Sequence, residues 1–167
     1  MISTKTPTYR INGFIDNEEL EKLGLMPPKQ RLEKGPVAIL ECPEMIPCNI
    51  CVAHCPSKAI SMNSLNDIPR VDWDKCTGCG NCVAICPGLA AFVVDLSRND
   101  ADYVTLPHEF LPRPRVGDEV ILMNRKGERI GKGIVIRTWE RNKTLVVTVK
   151  VPKGFGMEVR AIWMEKK

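Results

Sequence analysis

Residues 76–87 read CTGCGNCVAICP, a segment that spaces its cysteines as C-x2-C-x2-C-x3-C and ends in proline. A second cysteine run lies upstream over residues 42–56 and also ends in Cys-Pro. All 8 cysteines of the chain lie in these two runs. Cysteines at such short intervals bring several thiolates to one loop, which favours a metal centre over isolated thiols.

The two runs are copies of one unit. Residues 48–59 align with residues 79–90, and the alignment matches the cysteines, a proline, a Val-Ala pair and a final alanine. Such self-similarity indicates two copies of one structural unit that share a core. Gly78 and Gly80, inside the second run, permit the positive φ and the close approach that a tight ligand loop needs.

This pattern resembles the bacterial dicluster ferredoxin family over residues 37–97. In that family the run C-x2-C-x2-C-x3-C-P wraps an iron–sulfur cluster, and its fourth cysteine ligates the other cluster. The resemblance implies two [4Fe-4S] clusters whose ligands cross between the runs. The implied ligands are Cys42, Cys48, Cys51 and Cys86 for the first cluster, and Cys76, Cys79, Cys82 and Cys55 for the second.

The first run departs from the family pattern at one position. The duplication places Met45 opposite Cys76, and Cys42 lies three residues further upstream, which widens the first gap to x5. A six-residue step spans roughly 20 Å when extended, so Cys42 can still reach the first cluster. The alternative is that Cys42 is free and the first site holds a [3Fe-4S] cluster on three protein ligands.

Disulfides and zinc explain the cysteines less well. Met1 is followed by no apolar segment typical of secretion, so we expect a cytoplasmic protein, in which thiols stay reduced. Zinc takes four ligands per site and does not require a third cysteine at x2 spacing. No apolar stretch is long enough to span a membrane, so we expect no membrane insertion.

The rest of the chain divides into three further parts. Residues 1–36 are expected to form an arm with one short helix, capped by Asp16 and Glu19 and ended at Gly24. Its leucines must pack on another domain or on another subunit, because one short helix cannot bury them alone. Residues 98–112 are expected to be a linker.

Residues 113–167 show a β pattern. Short strands are predicted over residues 120–123, 130–139, 145–151 and 157–163, separated by turns. This spacing predicts a small antiparallel barrel, SH3-like or OB-like, with Trp163 in its core. The complete fold class is therefore α+β: a ferredoxin-like dicluster domain, preceded by an arm and followed by this barrel.

Charge is divided along the chain. Residues 1–112 carry 10 Lys/Arg and 14 Asp/Glu, net −4, whereas residues 113–167 carry 14 and 6, net +8. This asymmetry indicates two surfaces with different partners, or simply a solvated basic face on the barrel.

No catalytic site of the chain's own is evident. There is no Gly-rich turn between a strand and a helix that would bind a nucleotide cofactor, and no P-loop. His54 is expected to pack or hydrogen-bond over a cluster, and His108 to be exposed in the linker. We therefore expect a non-catalytic electron-transfer protein.

The layout is similar to the small ferredoxin-like subunits of multi-subunit flavin dehydrogenases that oxidise proline or hydroxyproline. That likeness implies a flavin only in a partner subunit, with this chain relaying single electrons from or between flavins. One alternative is a stand-alone ferredoxin with an appended domain. The other is an iron–sulfur protein that binds nucleic acid through the barrel's basic residues, which is less favoured because few aromatics are available for stacking. These basic residues are Arg125, Lys126, Arg129, Lys132, Arg137, Arg141 and Lys143.

Overall fold

A long antiparallel sheet is the main element of the computed structural model, which describes residues 7–165. The nine strands are β1 Val37–Leu40, β2 Ile60–Ser61, β3 Arg70–Val71, β4 Ala91–Asp95, β5 Asp102–His108, β6 Glu119–Met123, β7 Arg129–Arg141, β8 Thr144–Val151 and β9 Ala161–Trp163. The helices are α1 Thr8–Asn12, α2 Asn17–Lys22, α3 Lys29–Leu32, α4 Ile50–Ala53 and α5 Asn81–Ile85.

Seven strands pair in the order β1-β4-β5-β8-β7-β6-β9, and β2 and β3 form a separate hairpin. The predicted strands of the cysteine region are confirmed, including the hairpin that joins residue 60 to residue 71. The structure is thus mostly sheet with a few short helices, and the C-terminal strands continue the sheet of the cysteine region. The separate small barrel expected after residue 113 is not confirmed.

The expected linker over residues 98–112 contains strand β5, which corrects that prediction. Val104 pairs with Val94 of β4 on one side and with Val149 of β8 on the other. β5 therefore joins the strands of the cysteine region to the C-terminal strands in one sheet. Its buried residues alternate along the strand, and the last of them is His108, which is only 5% exposed instead of free in solvent.

The sheet is covered on both faces at β1. Val37 and Ile39 belong to the larger core, which continues through β5 and β8. Ala38 and Leu40 face the opposite way and pack with α5 and the cysteines. Alternating side chains thus place β1 between the main core and the cysteine region.

The N-terminal arm packs on its own chain. Asp16 caps α2 by accepting a hydrogen bond from the N–H of Glu19 at 2.8 Å, as predicted. Leu20 is fully buried in a small core that includes Ile68. Arg70 also donates to the carbonyl oxygen of Leu23 at 2.7 Å. The apolar face of α2 is therefore buried against other residues of the same chain.

Trp163 was expected in the core, but its side chain is 43% exposed. It lies on β9, which is an edge of the sheet and pairs only with β6 among the described strands. Within residues 7–165 no helix is long and apolar enough to cross a membrane.

Candidate iron–sulfur sites

Two cavities in the cysteine region are each lined by four cysteines. The first cavity has a volume of about 60 Å³ and takes three of its cysteines from the first run and one from the second. The second cavity has a volume of about 20 Å³ and takes three from the second run and one from the first. The first is lined by Cys42, Cys48, Cys51 and Cys86, and the second by Cys76, Cys79, Cys82 and Cys55.

The structure therefore brings together the two sets of four that the family resemblance implies. Cys42 lines the first cavity in spite of the x5 gap that separates it from Cys48. Within residues 7–165, no three His, Cys, Asp or Glu side chains are grouped closely enough to hold one metal ion. The thiols instead line the two shared cavities, an arrangement that fits thiolates bound to different irons of one cluster.

The sequence duplication is repeated in the backbone after the last cysteine of each run. Lys58 and Leu89 occupy equivalent positions, and both have a φ of 52°. Each of these turns directs the next N–H at the preceding thiol, from Ala59 to Cys55 Sγ at 3.3 Å and from Ala90 to Cys86 Sγ at 3.4 Å. Such hydrogen bonds favour the thiolate, which is the form that binds iron.

A third N–H bond reaches the first cysteine of the second run. Ala38, in β1, donates to Cys76 Sγ at 3.4 Å. The loop that follows Cys76 needs glycine at position 78, because φ there is +65° and an added Cβ would lie 2.6 Å from the Cβ of Pro36. β1 and its preceding residues therefore shape the second cavity.

Burial has the largest effect on the pKa of two of the cysteine thiols, Cys82 and Cys51. It raises the pKa of Cys82 to about 12, and the neighbouring Cys76 and Cys79 add to this rise. It also raises the pKa of Cys51 to about 11. Several thiolates at such buried positions need nearby positive charge. A bound metal centre supplies that charge, and its thiol ligands lose their protons as a result. The cysteine chemistry therefore fits clusters of iron.

Cys55 behaves in the opposite way. Burial opposes ionisation there too, but hydrogen bonds from Ser57 and from backbone N–H groups, including that of Ala59, outweigh it and lower the pKa of the thiol. The side-chain oxygen of Ser57 lies 3.6 Å from Cys55 Sγ. Hydrogen bonds within the protein thus favour the thiolate form of Cys55.

The residues that line the two cavities besides the cysteines differ. Ser57, Thr77 and Asn81 are among those of the second cavity. Ile46 and Pro87 are among those of the first. Ile46 and the preceding Met45 are exposed apolar side chains, so an exposed apolar segment lies at the first site.

Two residues that sequence patterns did not single out hold the cysteine loops from outside. Arg31, in the arm, donates to the carbonyl oxygens of Cys76 at 2.9 Å and of Trp73 at 2.7 Å. Glu41, which precedes Cys42, is bonded by arginines of the C-terminal half. No local signal reveals either contact, because the partners lie far apart in sequence.

The comparisons with known proteins agree with this geometry. Residues 46–90 match the family described as 4Fe-4S dicluster domain, and residues 70–119 match the family described as 4Fe-4S single cluster domain. The cysteine region is therefore a 4Fe-4S domain of the ferredoxin type. The dicluster match begins after Cys42, so it does not include that residue.

Relatives among known proteins match over short regions only. The chain is 38% identical over 58 residues to Ferredoxin-type protein NapF of Haemophilus influenzae, which covers 33% of each protein. It is 43% identical over 42 residues to a ferredoxin of Pyrobaculum islandicum, covering 25% of this chain and 38% of that one. It is 45% identical over 45 residues to one component of an ion-translocating oxidoreductase complex of Methanosarcina acetivorans, covering 27% and 16%. The chain thus spans well under half of the length of these relatives, and no solved structure matches it significantly.

Proposed function

We propose that this protein binds two [4Fe-4S] clusters and relays single electrons through them. The observation that supports this proposal best is the pair of cavities, each lined by four cysteines with one drawn from the other run. In the proposed ligand sets, Cys86 completes the first site and Cys55 the second. When bound, such clusters supply reversible one-electron transfer.

The protein's own contribution is to hold the thiols and to set the potentials. N–H groups of Ala38, Ala59 and Ala90 point at ligand sulfurs, and hydrogen bonds of this kind stabilise the reduced state. The two sites differ in the burial of their cysteines, since the second has a buried Cys82 and an exposed Cys79 whereas those of the first are all half-buried, so we expect two different potentials.

We further propose that the electrons pass to a protein partner at the first site. Met45 is 70% exposed and precedes Ile46, which is also exposed and lines the first cavity, so a partner that binds here would exclude water. The relative from Methanosarcina acetivorans is part of a multi-subunit complex, which supports the same role for this chain. The partner that we propose is the flavin-containing subunit of a multi-subunit dehydrogenase, in the cytoplasm.

A stand-alone ferredoxin is the second candidate, and the arm favours it. Leu20 and Leu25 are buried within the chain, so the arm needs no other subunit to cover its helix. The nucleic-acid alternative loses support, because Arg125 is buried against Glu41 and Lys132 is paired with Glu119. The barrel's expected basic patch is therefore partly neutralised.

Anaerobic purification of the full chain tests the proposal. We expect about eight irons and about eight sulfides per chain. A colourless protein that holds only zinc would overturn the cluster assignment. Gel filtration after gentle purification from the native source separates the remaining candidates, since co-elution with a flavoprotein supports the subunit role and a lone monomer supports the free carrier.

A further inference from the structure

A buried charged cluster lies directly beside Cys42. Arg125 donates from Nε to Glu41 Oε2 at 2.9 Å and from Nη2 to Oε1 at 2.5 Å. Arg160 donates from Nε to Oε1 at 2.6 Å. The side chains of Glu41, Arg125 and Arg160 are only 7%, 8% and 4% exposed. The carboxylate is thus held at both oxygens, out of water.

Both arginines are themselves fixed. Arg125 donates to the carbonyl oxygen of Met157 at 3.1 Å, and Arg160 donates to that of Val159 at 2.6 Å. The Arg160 guanidinium also lies over the ring of Phe92, in β4, at 5.0 Å from its centre. The cluster therefore connects the turn after β6 and the start of β9 to the end of β1.

The charges of Glu41 and Arg160 stabilise each other. Burial alone would raise the pKa of Glu41, but Arg160 and Arg125 outweigh it and hold the pKa below its usual value. Burial lowers the pKa of Arg160, and the Glu41 carboxylate opposes that change. A buried ion pair of this kind costs desolvation energy and is weak evidence for a purely stabilising role.

The position of Glu41 points to its role. Its N–H donates to the carbonyl oxygen of Ala90 at 2.7 Å, which extends the pairing of β1 and β4 by one residue. The next residue is Cys42, and residues 42–49 then form no helix or strand. Cys42 therefore leaves the sheet at the point where Glu41 is held, and no regular element fixes it from the other side.

We propose that Glu41, clamped by Arg125 and Arg160, is a positioning residue that holds Cys42 as the fourth thiolate of the first site. This inference rests on the proposed ligand set. It explains how a cysteine with the wider x5 gap is delivered without a regular ligand loop. It also gives the C-terminal strands a role in assembling a cluster, since both arginines come from that half of the chain.

The test is Glu41→Gln in the full chain, purified without oxygen. Gln keeps the shape of the side chain but leaves the two buried arginines without a carboxylate. We expect the iron content to fall from about eight to about seven per chain, with a three-iron EPR signal in the oxidised protein. The second site should keep its spectrum, which a general loss of stability would not allow.

The matched control is Glu44→Gln. Glu44 lies in the same loop and pairs with Arg10 at 2.6 Å, but both side chains are substantially exposed. This variant should keep about eight irons. An equal loss in both variants would overturn the positioning role, because the loop would then be sensitive to any change.

Cys42→Ala separates the failure of this inference from the failure of the ligand set. If Cys42→Ala keeps its full iron content, the proposed ligand set is wrong. If Cys42→Ala loses one iron and Glu41→Gln does not, the positioning role is wrong. Should Glu41→Gln fail to fold, Arg125→Gln decides by the same two readouts, since Arg160 still pairs with Glu41 and supports the fold. Loss of one iron in this variant supports the clamp, and full iron content overturns it, because the proposal requires both arginines.

Discussion

Arg31 donates from Nη2 to the carbonyl oxygen of Cys76 at 2.9 Å, which binds the N-terminal arm to the first cysteine of the second run. The same guanidinium donates from Nε to the carbonyl oxygen of Trp73 at 2.7 Å. It also reaches the carbonyl oxygens of Gly35 and Pro36, at 3.2 and 3.1 Å. Four peptide carbonyls around the second site thus share one arginine.

Arg31→Ala should therefore weaken the second site. Hydrogen bonds from a charged donor are worth about 1.5–3 kcal/mol each, and their loss frees the loop that presents Cys76. We expect a lower free energy of unfolding and faster loss of the second cluster on exposure to air. The measurement is the decay of visible absorbance together with the iron content.

The control is Lys29→Ala, in the same helix and exposed to solvent. It should change neither the stability nor the rate of cluster loss. If Arg31→Ala decays no faster than this control, the arm is only an accessory and the carbonyl contacts do not support the site.

The parts of the structure that depend on local pattern could be predicted from the sequence. Cysteine spacing and the internal duplication carry the resemblance to dicluster ferredoxins, which implies that Cys55 and Cys86 each join the opposite run, and each of them lines the cavity of that run. The strands at Val37–Leu40 and Ala91–Asp95 were predicted correctly, because each is a short apolar run next to a cysteine run. Asp16 was predicted correctly as a helix cap for the same local reason.

The parts that depend on distant partners could not. Strand β5 alternates apolar and polar residues only weakly, and its place is set by pairing with β8, more than 35 residues away (Leu106 with Val147). Glu41 and Arg160 are 119 residues apart and look like surface charges in the sequence. Buried charge is recognised from its partner, and the sequence alone does not identify that partner.

The proposed ligand sets, which cross between the two runs, predict that cysteine variants fall into pairs with the same phenotype. Cys55→Ser should resemble Cys79→Ser, because both residues line the second cavity. Cys86→Ser should resemble Cys51→Ser, because both line the first. Each variant should lose or alter one cluster, which EPR spectra and iron content of the reduced proteins will show.

The opposite result would overturn this assignment. If Cys55→Ser has the spectrum of Cys51→Ser, each cluster takes its ligands from a single run and the crossed assignment is wrong. Serine is used because it keeps the size of the side chain, so a change in spectrum reports the loss of the thiolate and not a repacked core.

Gly78, inside the second run, and Gly88, directly after it, offer a matched pair of substitutions. At Gly78 an added Cβ would lie 2.7 Å from the backbone of Pro36, and φ is +65°. Gly78→Ala should therefore destabilise the fold by about 2 kcal/mol or more and lower the occupancy of the second site. At Gly88 nothing lies within 4 Å of the added atom. Gly88→Ala should stay within about 0.5 kcal/mol of the parent in chemical denaturation, and equal losses would show that the contact with Pro36 is relieved elsewhere.

His108 gives the stability of the protein a pH dependence. Burial lowers its pKa, against smaller opposing contributions from Pro112, Glu109 and Phe110, and its buried Nε2 has no hydrogen-bond partner within residues 7–165. The unfolded chain takes up this proton near pH 6.5, before the folded protein does, so the stability that His108 contributes is lost as the pH falls below about 6.5. One such group changes the free energy of unfolding by at most about 1.4 kcal/mol per pH unit.

His108→Gln should flatten that slope in anaerobic denaturation between about pH 7.5 and about pH 5.5. His54→Gln, at the exposed second histidine, should retain the slope, and a slope that survives in His108→Gln would assign the effect to other groups.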